Sequence, residues 1–291
     1  MPRRVARSAQ VRRRRAVAAL TVGLVAMSTW AALADDPRPH ARSVQAPPAT
    51  QPAEFPPVVA TAVQSPVFAL DRLIDGRGFI VQGGGNKREI ALTFDDGPGP
   101  YTQAVLGVLQ KLQVRATFFD VGNMQTSFHA LTAAEAAAGH VIGNHTQTHA
   151  MLNRLSPRDQ RRELLGAAQR IQAAGAPYPR LFRPPFGLFD ETTLAELRRH
   201  RMLMVLWSTD TRDYTQPGVS TIVSRALAGA KPGAIILMHD AGGTRSQTVA
   251  AVPAIVRGLR RRGYRLVTVP QLVADDPPPA NQQLPGGLGG A

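Results

Sequence analysis

Residues 89–98 read Glu89-Ile90-Ala91-Leu92-Thr93-Phe94-Asp95-Asp96-Gly97-Pro98. An apolar, strand-like run ends in two adjacent carboxylates and breaks at once into a Gly-Pro turn. In an extended strand neighbouring side chains point to opposite faces, which would pull Asp95 and Asp96 apart. At a strand end that breaks into a turn, both can face one pocket. Two anions that close repel unless one carries a proton or a cation lies between them. The rest of the chain must therefore supply a metal or a strong cationic partner.

About fifty residues on, it offers Gly143-Asn144-His145-Thr146-Gln147-Thr148-His149. The i, i+4 spacing of His145 and His149 predicts one shared face of a helical turn, a geometry suited to a single ion. Two histidines and one aspartate leave coordination positions open, as catalytic sites require and structural sites do not. An isolated His-x-x-x-His is usually an accident. Here two of the chain's seven histidines fall in it, downstream of the Asp-Asp turn.

Strand and helix signals alternate around these motifs. Strand-like runs are Ile90–Phe94, Ala116–Asp120, Val141-Ile142, Leu181–Arg183, Met202–Trp207, Ala234–Met238 and Leu266–Val269. Helix-like runs are Gln103–Leu112, Leu131–Ala138, Pro157–Ala174 with Ser156 as N-cap, Glu191–His200, Val219–Leu227 and Val249–Arg262. The alternation predicts an α/β fold with a mostly parallel sheet or barrel. In either, chemistry collects at the carboxyl ends of the strands. Three further polar clusters stand there: Arg183-Pro184-Pro185-Phe186-Gly187, Asp210-Thr211-Arg212-Asp213-Tyr214 and Leu237-Met238-His239-Asp240. Each alone has a dull explanation; their joint occurrence at strand ends, in this order, does not.

The ends of the 291-residue chain differ from its middle. Seven of the 34 basic residues fall in the first fifteen, which hold no acid. An apolar run from Ala16 to Ala34 follows and closes with Ala32-Leu33-Ala34. This pattern predicts a secretory signal over residues 1–34, cleaved after Ala34, with an uncleaved amino-terminal anchor as the rival reading. Either way the remainder is exported, to the periplasm or beyond. Residues 35–80, rich in Pro, Ala and Gln, read as an extended linker, and residues 274–291 as a disordered tail. One catalytic domain is predicted between them, over residues 86–273.

Without residues 1–34 the formal charge of +14 falls to +7, from 27 basic and 20 acidic residues. Arg198-Arg199 and Arg260-Arg261-Arg262 sit near helix ends, where cations are favourable, so they read as solvated faces and no nucleic-acid partner is expected. Envelope association through mild attraction to an anionic polymer is a secondary expectation. The chain has no cysteine. Its core alone must hold the exported protein together.

Taken together, the five motifs Thr93–Gly97, His145–His149, Arg183–Phe186, Asp210–Tyr214 and Leu237–His239 resemble those of the polysaccharide deacetylases with a NodB-homology domain, carbohydrate esterase family 4. The resemblance spans roughly residues 86–273. It implies a distorted (β/α) barrel, a divalent metal of the zinc type, and hydrolysis of acetyl groups on a sugar polymer. Carried over by motif, Asp96, His145 and His149 resemble the metal ligands. Asp95 resembles the general base, Arg183 the residue that orients it, Asp213 the partner that holds Arg183, and His239 the general acid. The backbone N–H near Phe186 would help stabilise the oxyanion, and Leu237 would line the pocket for the acetyl methyl.

Two positions depart from the family pattern: Phe186 stands where Tyr is frequent, and Tyr214 where Trp is common. The first loses a side-chain hydroxyl; the second narrows the aromatic wall of the substrate groove. The expected substrate is an acetylated glycan: peptidoglycan, a chitin-like oligomer or poly-N-acetylglucosamine. Acetylated xylan, cleaved as an O-acetyl ester, is the alternative within the same chemistry. A catalytically silent glycan-binding domain is the alternative outside it. The retention of base, ligands and acid argues against that one.

Overall fold

The computed structural model describes residues 65–284. The predicted signal or anchor, the linker up to residue 64 and the last seven residues lie outside that range. Within it the elements are α1 (Pro66–Gly76), β1 (Phe79–Ile80), β2 (Glu89–Asp95), α2 (Thr102–Lys111), β3 (Thr117–Asp120), α3 (Gln125–Ala137), β4 (Val141–Asn144), α4 (Pro157–Ala173), β5 (Leu181–Phe182), α5 (Glu191–Arg199), β6 (Leu203–Val205), β7 (Thr209–Asp210), α6 (Val219–Ala228), β8 (Ala234–His239), α7 (Ser246–Arg261), β9 (Arg265–Val267) and α8 (Val269–Asp275). Among the described residues no helix is long and apolar enough to cross a membrane.

The nine strands form one sheet, with the order β1-β6-β5-β4-β3-β2-β8-β7, and every pairing is parallel. Strand β9 pairs with the first half of β2, through Glu89–Ala91, and β3 pairs with its second half, through Thr93–Asp95. The parallel sheet is what the alternating pattern predicted, and the distorted barrel with surrounding helices is what the resemblance implied. All seven residues of β2 are buried. A strand covered on both faces needs the near-continuous apolar run that residues 90–94 supply.

The side chains of β2 divide between two cores in period two. Ile90, Leu92 and Phe94 pack with Val105 and Leu109 of α2 and Val252, Ile255, Val256 and Leu259 of α7. Ala91 belongs to a second cluster with Phe119, Leu181, Val205 and Ile235, closed by Leu70 and Ile74 of α1 and by Val269, Leu272 and Val273 of α8. Thr93 and Asp95 share the Ala91 face, which sets the position of the site.

Both predicted domain boundaries need correction. The segment read as the end of a linker forms α1, capped by the Ser65 side chain, and β1. Its helix buries Leu70 and Ile74, so the apolar spacing of a short amphipathic helix outweighs the Pro/Ala-rich surroundings. The first part of the predicted tail is also tied down. The Asp276 carboxylate accepts from the main-chain N–H groups of Asn86 and Lys87, and the Gln282 side chain bonds the backbone of Val81 and Gln82.

Candidate active site and metal centre

Thr93 and Asp95, two apart on β2, face the same side and share one partner. The Nη1 of Arg183 donates to Thr93 Oγ1 at 2.8 Å and to Asp95 Oδ1 at 2.7 Å. Arg183 follows β5 and is wholly buried. Its Nε and Nη2 donate to the main-chain oxygens of Val205 and Leu206, and its guanidinium lies over the Phe119 ring at 4.1 Å. All three nitrogens are thus used, as a buried guanidinium requires. Asp95 Oδ2 remains turned toward the His145 imidazole, 3.8 Å away.

Asp96 leaves the strand with φ of 74°, in the left-handed region that a non-glycine residue adopts only at a cost. That turn brings the second carboxylate to the imidazole that Asp95 already faces. Asp96 Oδ1 lies 3.6 Å from His145 Nε2 and 3.1 Å from His149 Nε2. Burial pushes the Asp96 carboxyl up, but the hydrogen bond from His149 and the neighbouring imidazoles outweigh it and hold the group at about 2. It is the ionised partner of the pair of rings.

The histidines share no helical turn, contrary to the expectation from their spacing. They sit in a loop after β4 that enters the left-handed region at Thr146 and His149, with φ of 68° and 62°. Several of the loop's main-chain groups bond to residues outside it rather than through i→i−4 bonds. Gly122 N donates to Thr146 O, Asn123 N to Gln147 O, and Thr146 N to Asn144 Oδ1. The Glu163 carboxylate on α4 accepts from both Thr148 N and Thr148 Oγ1. The result still brings the two rings to 5.0 Å between centroids.

The histidine chemistry fits a cation. His145 Nδ1 lies 2.7 Å from the main-chain oxygen of Arg183, which can only accept, so the proton belongs on Nδ1 and the Nε2 lone pair faces the carboxylates. Burial also pulls the His145 pKa down, against Asp95 and Asp96, favouring the neutral ring that ligation needs. One ligand atom each from Asp96, His145 and His149 can be chosen so that all lie within 4.8 Å of one another. The donor set therefore fits a divalent metal.

The second correction concerns Asp213. It does not reach Arg183; it holds His239. Asp213 Oδ1 lies 2.8 Å from His239 Nδ1, and Oδ2 accepts from His239 N at 2.9 Å and Thr248 Oγ1 at 2.7 Å. The reason is strand order. β7 pairs with β8, so the residues just beyond them meet, whereas β5, which delivers Arg183, is separated from β8 by three strands. Burial alone would lower the His239 pKa, but the bond and charge of Asp213, with Asp95 and Asp96 nearby, raise it to about 9.

In the β2–β8 register Thr93 stands beside Leu237 and Asp95 beside His239. The buried Leu237 and the largely buried His239 thus share the face of Thr93 and Asp95. Two exposed aromatic rings flank this row. Phe186, 53 % exposed, sets its edge against His149 at 4.8 Å; Tyr214, 46 % exposed, packs edge-on against His239 at 5.3 Å. Phe186 has φ of 60°, so the rigid Pro184-Pro185 entry is followed by a reversed residue.

Several contributors escaped the sequence reading. Thr93 could have been found, since it is two residues from Asp95 on the same face. Thr248, on α7, and Glu163, on α4, carry no local signal; only the fold brings them to the site. The same holds for Gly242 and Arg245, in the loop after β8, which lie against Asp96.

Comparison with known proteins agrees with this geometry. The sequence profile of the family described as polysaccharide deacetylase matches residues 82–205. A chitooligosaccharide deacetylase from a Bradyrhizobium species is 39 % identical over 198 residues, covering 64 % of this chain and 90 % of that one. A peptidoglycan-N-acetylglucosamine deacetylase from Bacillus cereus is 39 % identical over 191 residues, covering 65 % and 89 %. The crystal structure of a peptidoglycan N-acetylglucosamine deacetylase superposes with a TM-score of 0.66 at 33 % identity, covering 67 % of this chain and 92 % of that one.

Proposed function

The chain belongs to the polysaccharide deacetylase family, and on that premise we propose that it hydrolyses N-acetyl groups on an N-acetylglucosamine-containing glycan. The observation that carries the reading is the pairing of Asp95 with His239 in register on adjacent strands. One side of that pair meets the Asp96–His145–His149 set, and the other is backed by Asp213. The named relatives act on chitooligosaccharides and on peptidoglycan N-acetylglucosamine, which supports the substrate class.

Asp96, His145 and His149 would hold the metal, with zinc favoured by imidazole and carboxylate donors. The chemistry such an ion would supply, when bound, is Lewis acidity toward a water and the acetyl carbonyl. The chain's own groups carry the proton transfers. Asp95 takes a proton from the attacking water at Oδ2, the oxygen that Arg183 leaves free. Arg183 fixes Oδ1. His239, protonated through Asp213, delivers a proton to the departing amine. The main-chain N–H at Phe186 is assigned to the tetrahedral oxyanion. Leu237 lines the recess for the acetyl methyl, and the exposed rings of Phe186 and Tyr214 border the sugar.

Export is part of the proposal, supported by the basic leader and the apolar run ending at Ala34. The test is acetate release by the zinc-loaded protein from peptidoglycan, chitin oligomers, poly-N-acetylglucosamine and acetylated xylan. Release from the N-acetylated polymers and none from xylan is expected. Release from xylan alone, or from none, contradicts the reading.

A further inference from the structure

Arg245 is 4 % exposed, and among the described ion pairs its only acidic partner is Asp96. Burying a guanidinium is costly unless other groups answer its charge and its donors, and the buried Nε of Arg245 has no hydrogen-bond partner. Here Nη1 donates to the Thr244 carbonyl at 3.1 Å and Nη2 to the Gly242 carbonyl at 2.9 Å, so the side chain is folded back onto its own loop. That brace holds Nη2 at 3.8 Å from Asp96 Oδ2, the oxygen that does not face the histidines. Oδ1 is the one directed at His145 and His149.

The same loop closes on Asp96 from a second direction. Gly242 has φ of 71°, and a Cβ built there would lie 2.2 Å from Asp96 Oδ2 and 2.9 Å from its Cγ. The main chain therefore lies hard against the carboxylate, and only glycine fits both the conformation and the space. Backbone on one side and a guanidinium on the other leave the carboxylate little freedom to rotate.

We propose that Gly242 and Arg245 are positioning residues for the metal site, fixing the Asp96 carboxylate so that Oδ1 alone is presented with His145 and His149. Neither touches the reacting atoms; both act through Asp96. The inference rests on the ligand assignment above and extends it to a loop that none of the five motifs contains. Partners of this kind orient metal ligands, and their loss ordinarily lowers affinity by about 10–100-fold.

The test is zinc affinity of the full chain, measured by competition with a chromophoric chelator, for Arg245→Gln, Arg245→Lys and Gly242→Ala. Circular dichroism and melting of the metal-free proteins serve as controls. Arg245→Gln is expected to weaken zinc binding about 10–100-fold, with the lost deacetylase activity returning at excess zinc. Arg245→Lys, which keeps the cation but not the carbonyl brace, should recover part of the affinity. Gly242→Ala should weaken binding at least as much as Arg245→Gln, because its methyl group displaces the carboxylate itself. Zinc affinity equal to or tighter than wild type in a folded Arg245→Gln protein overturns the proposal; if that variant does not fold, an unchanged affinity in Arg245→Lys and Gly242→Ala does so. Asp96→Asn and His149→Ala separate the two layers: should they also leave affinity unchanged, the ligand assignment falls with it, whereas if only they lose zinc, the positioning role alone is wrong.

Discussion

Arg183 and Asp95 meet in a buried ion pair, with Nη1 and Oδ1 2.7 Å apart, although β3 and β4 stand between the strands that deliver them. Three strand spacings come to about 14 Å along a flat sheet, farther than one side chain reaches. The contact is possible because the sheet curls. It makes one residue serve two roles, since the Arg183 carbonyl also fixes the His145 ring. Base and ligand are thus aligned from a single position in the chain.

Removing the Arg183 side chain should therefore cost both stability and turnover. Arg183→Ala strands the buried Asp95 charge and leaves the carbonyls of Val205 and Leu206 without donors. Breaking a buried pair in this way typically destabilises by about 3–5 kcal/mol. Urea unfolding of the metal-free protein is the check, and a loss below about 1 kcal/mol would mean the pair is not held as described. Arg183→Lys should not restore activity, because one ammonium cannot reproduce the fork of donors.

Asp213 sets the alkaline limit of the reaction. With His239 raised to about 9, the acid stays protonated through neutral pH and activity should fall as pH rises through that value. Asp213→Asn removes the charge, so the alkaline limb should move down toward the ordinary histidine value of about 6.5. The sign for stability agrees: a raised His239 pKa stabilises fully below about 6.5, and the contribution is lost as pH climbs to about 9. A pH–kcat/KM profile of the two proteins decides it. An unshifted alkaline limb in Asp213→Asn would remove Asp213 from this role.

Much of this was legible in the sequence because β2 is buried on both faces and so carries an unbroken apolar run, while each polar motif follows such a run. Two relationships were not. The i, i+4 spacing of His145 and His149 predicts a helical turn, yet Glu163, Asn144 and the backbone at Gly122 and Asn123 hold a loop instead. Asn144 directly precedes the His145–His149 pair, and the other three lie far from it in the chain. Likewise no local pattern says whether Asp213 serves Arg183 or His239; strand order decides, and strand order is not written in spacing. The α1 helix was missed because Pro66 and Ala69 continue the Pro/Ala-rich composition of the residues before it.

Phe186 and Tyr214 should govern substrate binding with little effect on the fold. Both rings are about half exposed, and surface truncations usually change stability by no more than about 0.5 kcal/mol. Phe186→Ala and Tyr214→Ala should each raise KM for an N-acetylglucosamine oligomer several-fold with Tm nearly unchanged. Tyr214→Trp tests the wall directly, since a broader ring should alter the ranking of glycans. Steady-state kinetics on two oligomer lengths is the measurement, and unchanged KM in both alanine variants would place the sugar elsewhere.

The chelated protein should lose activity and regain it with zinc. Activity indifferent to chelation would leave the His145–His149–Asp96 arrangement without a catalytic purpose.

The account turns on two neighbouring carboxylates having different work. The direct test is zinc content and acetate release, measured side by side, in Asp95→Asn and Asp96→Asn. Asp95→Asn should keep stoichiometric zinc while kcat falls by about 10²–10⁴-fold, the contribution expected of a general base. Asp96→Asn should lose zinc first and activity with it. Equal zinc loss in both variants, or full turnover in Asp95→Asn, would contradict the division.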